Sequence, residues 1–306
     1  MIESVIQILV FFYNFVIGCI IALLPRGFLP RKDVKGKVVL ITGGGNGLGR
    51  QFAYSFGKLG SKVVLWDVDR KGLDETVAEL KKNNVECWSY VVDVTNRNEI
   101  YETAEKVIKT SGSVDILINN AGIANAKPFL KTPDEALERI MNINVMSHLY
   151  TCKAFLPHML DKGSGHVVNM ASMAGKIPSL GIVDYSCSKS AAVGFSSALA
   201  DEIRVISNDK IKFTTLCPYF IKTNLTARID LPSSQLLPIL EAEEATEIMM
   251  DGILTEQKQL LLPRFCYTLS LLYNILPTRA YQSLSETRNL NDKLIQELNR
   301  IDKKDD

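Results

Sequence analysis

Apolar positions along this chain fall into three patterns. The first is residues 5–24, VIQILVFFYNFVIGCIIALL, a run of twenty residues without a charge. As a helix at about 1.5 Å per residue it reaches about 30 Å, the thickness of a bilayer core. Glu3 precedes it, and Arg26, Arg31, Lys32, Lys35 and Lys37 follow. A cleaved signal peptide has a basic start and a shorter apolar run. Residues 1–24 therefore read as a membrane anchor and 25–36 as a basic linker that keeps the body in the cytosol. A buried helix is the alternative, disfavoured because no amphipathic face is visible. Gly18 and Pro25 leave open whether the anchor spans the bilayer or turns back in one leaflet.

The second pattern fills residues 37–263. Short Val-, Ile- and Leu-rich runs at 38–42, 62–67, 86–92, 114–119, 166–170, 211–217 and 259–262 show little alternation, as strands covered on both faces do. Segments with helical spacing separate them, among them 47–59, 72–82, 98–109 and 184–207. Repeated strand–helix units predict one α/β domain: a single doubly wound, Rossmann-type parallel sheet of seven strands. The third pattern, 264–306, begins with Phe265, Leu269, Leu272, Tyr273 and Leu276 at helical spacing and ends in a polar tail. It predicts a helical extension, either interfacial, covering a substrate site, or packed on the core.

Composition narrows the function. Lys plus Arg total 35 against 34 Asp plus Glu, a net charge of +1, so no global field points to nucleic acid. Six scattered cysteines without a C-x-x-C pair argue against a zinc ribbon or a disulfide scaffold. His148, His158 and His166 lack ligand spacing, so no metal is expected and the three read as structural or surface groups.

The candidate chemistry lies at the carboxyl ends of the predicted strands. Between the first strand and its helix stand Gly43, Gly44, Gly45, Asn46, Gly47, Leu48 and Gly49, a turn whose backbone N–H groups can meet a pyrophosphate at a helix N-terminus. Asp67 ends the second strand, 20 residues past Gly47, where a carboxylate accepts from both ribose hydroxyls and repels a 2′-phosphate. Asn46 supplies no charge for that phosphate, so NAD is expected rather than NADP. Asp93 and Val94 follow the third strand, placing a carboxylate to meet the adenine amino group. Asn119, Asn120, Ala121 and Gly122 close the fourth; small residues leave room for a cofactor, and the Asn side chains can pin neighbouring strands.

Ser172 follows the fifth strand, and Tyr185 and Lys189 stand four residues apart on one helix face. A free phenol titrates near 10, so a base near neutrality needs a shift of about 3 units, or about 4 kcal/mol. An ammonium about 4 Å away at an effective dielectric of about 20 supplies that much. Tyr-x-x-x-Lys alone is common by chance; its weight comes from the order glycine turn, Asp67, Asn-Asn-Ala-Gly, Ser172, Tyr185, Lys189.

With these motifs the sequence resembles the short-chain dehydrogenase/reductase family over about residues 37–263. The apolar leader, Leu-Ile-Thr-Gly-Gly-Gly, Val-Val-Leu-Trp-Asp and Leu-Cys-Pro218-Tyr219 resemble its membrane-anchored branch of retinol and 17-beta-hydroxysteroid dehydrogenases. The resemblance implies Tyr185 as general acid/base, Lys189 as the group that lowers its pKa and holds the nicotinamide ribose, and Ser172 as hydrogen-bond partner of the substrate oxygen. It implies Asn144 as the fourth catalytic residue, in support of a water-linked proton path. It places Pro218 and Thr223 at the nicotinamide end. Asn224, where the branch often has Gly, departs from the pattern in the substrate loop. Also implied are residence at the endoplasmic reticulum or lipid droplets and a homodimer. An apolar lid over 225–240 and the membrane leader point to a lipophilic alcohol or its carbonyl: a retinoid, steroid or other lipid. Two rivals stand beside this reading. One is an NADPH-type 3-ketoacyl reductase, which Asp67 opposes. The other is a lipid-surface protein whose NAD binding is mainly structural, which would leave Ser172, Tyr185 and Lys189 unexplained.

Overall fold

The structure is a computed structural model, and it describes residues 6–13, 16–17, 27–177, 179, 181–223, 225–226, 237–280 and 296. Seven strands form one parallel sheet: β1 Val38–Thr42, β2 Lys62–Asp67, β3 Cys87–Val91, β4 Ile116–Asn119, β5 Gly165–Met170, β6 Ile211–Pro218 and, after two short paired strands β7 Ile221–Lys222 and β8 Leu240–Glu241, β9 Gln259–Leu262. Their order is β3-β2-β1-β4-β5-β6-β9. Chain direction across the sheet reverses between β1 and β4, and a crevice opens there at the carboxyl ends.

The predicted strands and helices fall within a few residues of those observed. Alternate strand residues face opposite layers, which is why both sets are apolar. On one face Val39, Ile41, Val63, Leu65, Ile116 and Ile118 pack with Phe52 and Phe56 of α1 (Gly47–Lys58), Leu73 and Leu80 of α2 (Arg70–Lys82), and Met249 and Ile253 of the later helix Ala242–Leu254. On the other, Leu40, Val64, Trp66, Leu117 and Val167 pack with α3 (Arg97–Ser111), α5 (Ser147–Lys162) and α6 (Val183–Ile206). The Asn96 side chain caps α3, its Oδ1 accepting from the N–H groups of Asn98 and Glu99. A short α4 (Asp134–Met141) runs through a π-helical turn, Asn142–Met146, into α5. Helix Ala242–Leu254 is α7, and α8 spans Phe265–Ile275.

At the chain's start, residues 6–13 and 16–17 are helical, with Leu9, Phe11, Phe12 and Tyr13 exposed. Among the described residues no helix is long and apolar enough to cross a membrane. The rest of the predicted 5–24 run lies outside the described residues, as do Asn224 and most of the 225–240 segment.

The basic linker is not simply a row of solvated charges. Arg31 donates through Nε and Nη2 to Oδ1 of Asp251, at 2.9 and 2.7 Å, and that carboxylate is only 7% exposed. The Lys32 N–H meets the Leu254 carbonyl at 2.8 Å, and its ammonium reaches Nδ1 of buried His166 and, at 3.7 Å, Glu256. The ring's other nitrogen faces Thr214 Oγ1 at 2.9 Å, whose own proton goes to the Gln257 carbonyl. Thr214 must therefore accept, so His166 carries its proton on Nε2 and offers Nδ1 as an acceptor to Lys32. The linker is stapled to the amino-terminal edge of β5 and β6, opposite the crevice.

Burial, with the charges of Lys32 and Lys212, holds His166 well below its usual range. A histidine depressed in the folded state contributes stability that is intact above its unfolded pKa and lost as pH falls below it. Chemical denaturation should show about 1 kcal/mol of acid sensitivity from this residue between pH 6.5 and 5.5. His166→Gln should remove that increment; equal slopes for the two proteins would contradict the assignment.

Candidate active site

The glycine turn between β1 and α1 is shaped by close approach. A Cβ on Gly49 would stand 1.9 Å from the Gly43 carbonyl oxygen, so no side chain fits there. Gly47 has φ +51 with nothing within 4 Å of a built Cβ, an open concavity at the start of α1. Asn46 is the exposed residue preceding that helix, while Leu48 packs its side chain against the core. Asp67 accepts the Gly45 N–H at 2.8 Å on Oδ2 and the Asp69 N–H at 3.0 Å on Oδ1, which aims its carboxylate at the rim of the turn. Sequence reasoning missed Arg50. Its guanidinium, beside the same turn, donates to the Gly45 carbonyl at 3.0 Å and pairs with Glu75 at 3.0 Å.

Asp93 is exposed and turned onto its own loop, accepting from the Thr95 N–H and hydroxyl at 2.9 and 2.8 Å; Val94 is buried in the second core layer. Asn119 donates to Asn169 Oδ1 at 2.9 Å, joining β4 to β5, and Asn120 donates to the Thr42 carbonyl at 2.9 Å, joining β4 to β1. Ala121 gives its N–H to the Thr42 hydroxyl at 3.1 Å. These bonds fix the floor of the crevice.

The candidate reactive set is drawn from one strand end, one helix and the π-helical turn. Ser172 follows β5; its hydroxyl accepts from the Ala174 N–H at 3.1 Å, donates to the Pro218 carbonyl at 3.4 Å and stands near enough to Tyr185 to favour its ionised form. Gly175 lets this loop press on α6: a Cβ there would be 2.5 Å from the Lys189 carbonyl oxygen. Lys189 is buried and its ammonium donates to the Met170 carbonyl at 2.9 Å, with the nitrogen 5.7 Å from the Tyr185 ring centre. Asn144 sits in the π-helical turn, a device that recurs at functional sites. Its Oδ1 accepts from the Ile123 N–H at 2.9 Å, and its Nδ2 donates to the Ile123 carbonyl at 2.9 Å and to Ser188 Oγ at 3.0 Å. Ser188, also missed in sequence, passes its own proton to the Tyr185 carbonyl at 2.8 Å. Asp184, buried beside Tyr185, accepts from Asn125 at 2.8 Å. Thr223 stands beyond Pro218 in a turn closed by Thr226.

One electrostatic expectation is corrected. Burial raises the Tyr185 phenol above its ordinary value, against a lowering by the Ser172 hydrogen bond. Burial also brings Lys189 down to about 8. The ammonium spends itself on the Met170 carbonyl. In the protein alone, then, the phenol is not acidified.

A model of the short chain dehydrogenase family matches residues 37–233. The chain belongs to this family. As a short-chain dehydrogenase it is 43% identical over 265 residues to human estradiol 17-beta-dehydrogenase 11, covering 86% of this chain and 87% of that protein. It is 39% identical over 269 residues to human 17-beta-hydroxysteroid dehydrogenase 13, covering 87% and 89%. These relatives agree with the branch that the motifs resemble. Among solved structures, a short chain dehydrogenase/reductase from Burkholderia phymatum in complex with NAD is similar with a TM-score of 0.72 and 26% identity, over 79% of this chain and 95% of that one. The open concavity at Gly47, the close-packed Gly49 and the inward-held Asp67 fit a dinucleotide laid across the turn. No group of three or more His, Cys, Asp or Glu able to hold a metal occurs among the described residues.

Gly122 gives a test of the geometry. A Cβ there would come within 3.3 Å of Asn144 Oδ1 and 3.4 Å of Lys189 Nζ. Gly122→Ala should displace both by tenths of an ångström and cut kcat about tenfold, since small misplacements are costly in oriented sites. The unfolding midpoint should hardly move. Unchanged turnover would show that the pair is not held as described.

Proposed function

We propose that this short-chain dehydrogenase oxidises or re-forms a lipophilic alcohol with NAD(H) at the Ser172–Tyr185–Lys189–Asn144 set. The observation that carries the reading is that the Ser172 loop, the helix bearing Tyr185 and Lys189, and the turn bearing Asn144 are tied together through Met170, Gly175, Ile123 and Ser188. When bound, the oxidised nicotinamide supplies a hydride acceptor and a positive charge. Ser172 donates to the substrate oxygen and stabilises its developing charge. Tyr185 takes the hydroxyl proton, or returns it in the reverse direction. Lys189 holds the ribose near Tyr185. Gly43, Asn46, Gly47, Leu48, Gly49, Asn120, Ala121 and Gly122 cradle the dinucleotide, Asp93 and Val94 border adenine, and Pro218 and Thr223 border the carboxamide.

NAD rather than NADP is favoured by two charges. Asp67 stands at the ribose end, and the nearby cation Arg50 is neutralised by Glu75 and drawn onto the Gly45 carbonyl. This also weighs against a 3-ketoacyl reductase that draws on NADPH.

A lipid substrate is supported by the surface around the catalytic loops. Met173, Cys217, Leu237, Leu261 and Cys266 form an apolar cluster, joined by Tyr219, Phe265 and Leu269. Phe265 and Leu269 of the predicted α8 face thus pack on this cluster, while Tyr267, Leu271 and Ile275 are exposed. With the exposed apolar leader this suits an enzyme seated on the endoplasmic reticulum or a lipid droplet, its body facing the cytosol. The exposed small residues Ser190, Gly194 and Ala198 of α6 suit close packing against a second copy in a homodimer.

Detergent-solubilised protein should form NADH from NAD+ with estradiol or retinol, at least tenfold faster than with ethanol. Tyr185→Phe should lose at least 100-fold in kcat, as removal of a general base does. Survival of turnover in that variant would refute the assignment. At equal concentrations NADP+ should be the poorer oxidant, and Asp67→Ser should narrow the gap; a preference for NADP+ in the unaltered protein would overturn the cofactor reading.

A further inference from the structure

Tyr185 is the third residue of α6, in a first turn whose N–H groups have no partner within the helix. The residue before that turn is Ile182, which has no side-chain acceptor to cap it. Asp184 supplies the missing acceptor. Its Oδ1 accepts the Tyr185 N–H at 2.8 Å, and its Oδ2 accepts from Asn125 Nδ2 at 2.8 Å. This carboxylate is 7% exposed, and the reaction gives it no part. Burying a carboxylate is costly; two amide donors and the positive end of the helix offset the cost.

Asn125 belongs to the loop leaving β4, which is pinned at every second residue from Ala121. The Ala121 N–H donates to the Thr42 hydroxyl at 3.1 Å. The Ile123 N–H and carbonyl each bond Asn144 at 2.9 Å. Asn125 bonds Asp184 and also reaches the Ala136 carbonyl of α4 at 3.4 Å. One short loop therefore meets β1, the π-helical turn and the turn that carries Tyr185. The bonds of Ser188 and Lys189 grip α6 about one turn further along, behind the tyrosine.

We propose that Asp184 and Asn125 are positioning residues for Tyr185: the bond between them fixes the first turn of α6 to the loop leaving β4, and so sets where the phenol stands in the crevice. The inference rests on the proposed reaction, in which Tyr185 exchanges the hydroxyl proton. The bond has a direction, because a carboxylate only accepts and an amide nitrogen only donates. Asn125→Asp sets one carboxylate against another and breaks it. Adding Asp184→Asn reverses the bond and still leaves an oxygen for the Tyr185 N–H. The donation to Ala136 is lost in both variants, so any recovery belongs to the bond with residue 184.

Two measurements on the full chain with NAD+ test this. Hydrogen exchange at the Tyr185 amide should be about tenfold faster in Asn125→Asp, and the double variant should slow it again. In oxidation of estradiol or retinol, Asn125→Asp should lower kcat about tenfold with KM for NAD+ unchanged, and the double variant should recover kcat to within about threefold. Equal losses in the single and double variants would assign the pair to packing and overturn the inference. Full turnover in Asn125→Asp beside an inactive Tyr185→Phe would overturn it and leave the reaction standing. Turnover in Tyr185→Phe would strike the reaction and the inference together.

Discussion

The bond from the Lys189 ammonium to the Met170 carbonyl ties the helix that carries Tyr185 to the end of β5, the strand that delivers Ser172. Around it, Gly175 allows the Ser172 loop to lie against the Lys189 backbone, and Asn144 holds the same helix through Ser188. Three segments far apart in sequence are thereby held in one arrangement. A charged donor on a buried carbonyl is among the stronger single bonds available. It holds the positive charge beside the Tyr185 ring, while burial brings the lysine down to about 8.

This frame changes the electrostatic account of the tyrosine. A lysine one turn away on the same helix face is not enough by itself to create a phenolate, because desolvation acts on both groups at once and in opposite senses. The chain pre-places hydrogen bonds and leaves the phenol protonated. Ionisation then has to be drawn out by charge brought into the crevice. Such an arrangement keeps the base quiet until a cofactor is present, and it accounts for a site rich in fixed carbonyls and amides and poor in acidic side chains.

Much of the fold could be read from the chain. Continuous apolar runs such as 38–42 and 62–67 are what a sheet covered on both faces requires, and the structure returns both strands with those bounds. The glycine turn, Asp67, Asn120 and Ser172 were legible because each lies at the carboxyl end of a strand, and Tyr185 and Lys189 because of their four-residue spacing on one helix. Contacts between distant segments were not. Arg31 and Lys32 read as charges flanking a membrane segment, yet they grip Asp251 and His166, partners more than a hundred residues away that leave no periodic signal. Arg50 looked like an ordinary helix residue until folding set it beside Gly45 and Glu75. The π-helical turn that presents Asn144 adds a residue to a helix without any Gly or Pro to announce it. The α8 pattern was ambiguous for another reason: its two faces are both apolar, and only the tertiary packing decides which one meets the core.

The chemistry depends on when Tyr185 becomes acidic. The most direct test compares its ionisation in two states: ultraviolet titration of the cofactor-free protein, taken as the difference from Tyr185→Phe, and the basic limb of the kcat–pH profile for alcohol oxidation at saturating NAD+. Without cofactor the phenol should titrate above its ordinary value of about 10, and with it the kinetic pKa should lie well below that. Matching values in the two states would contradict it.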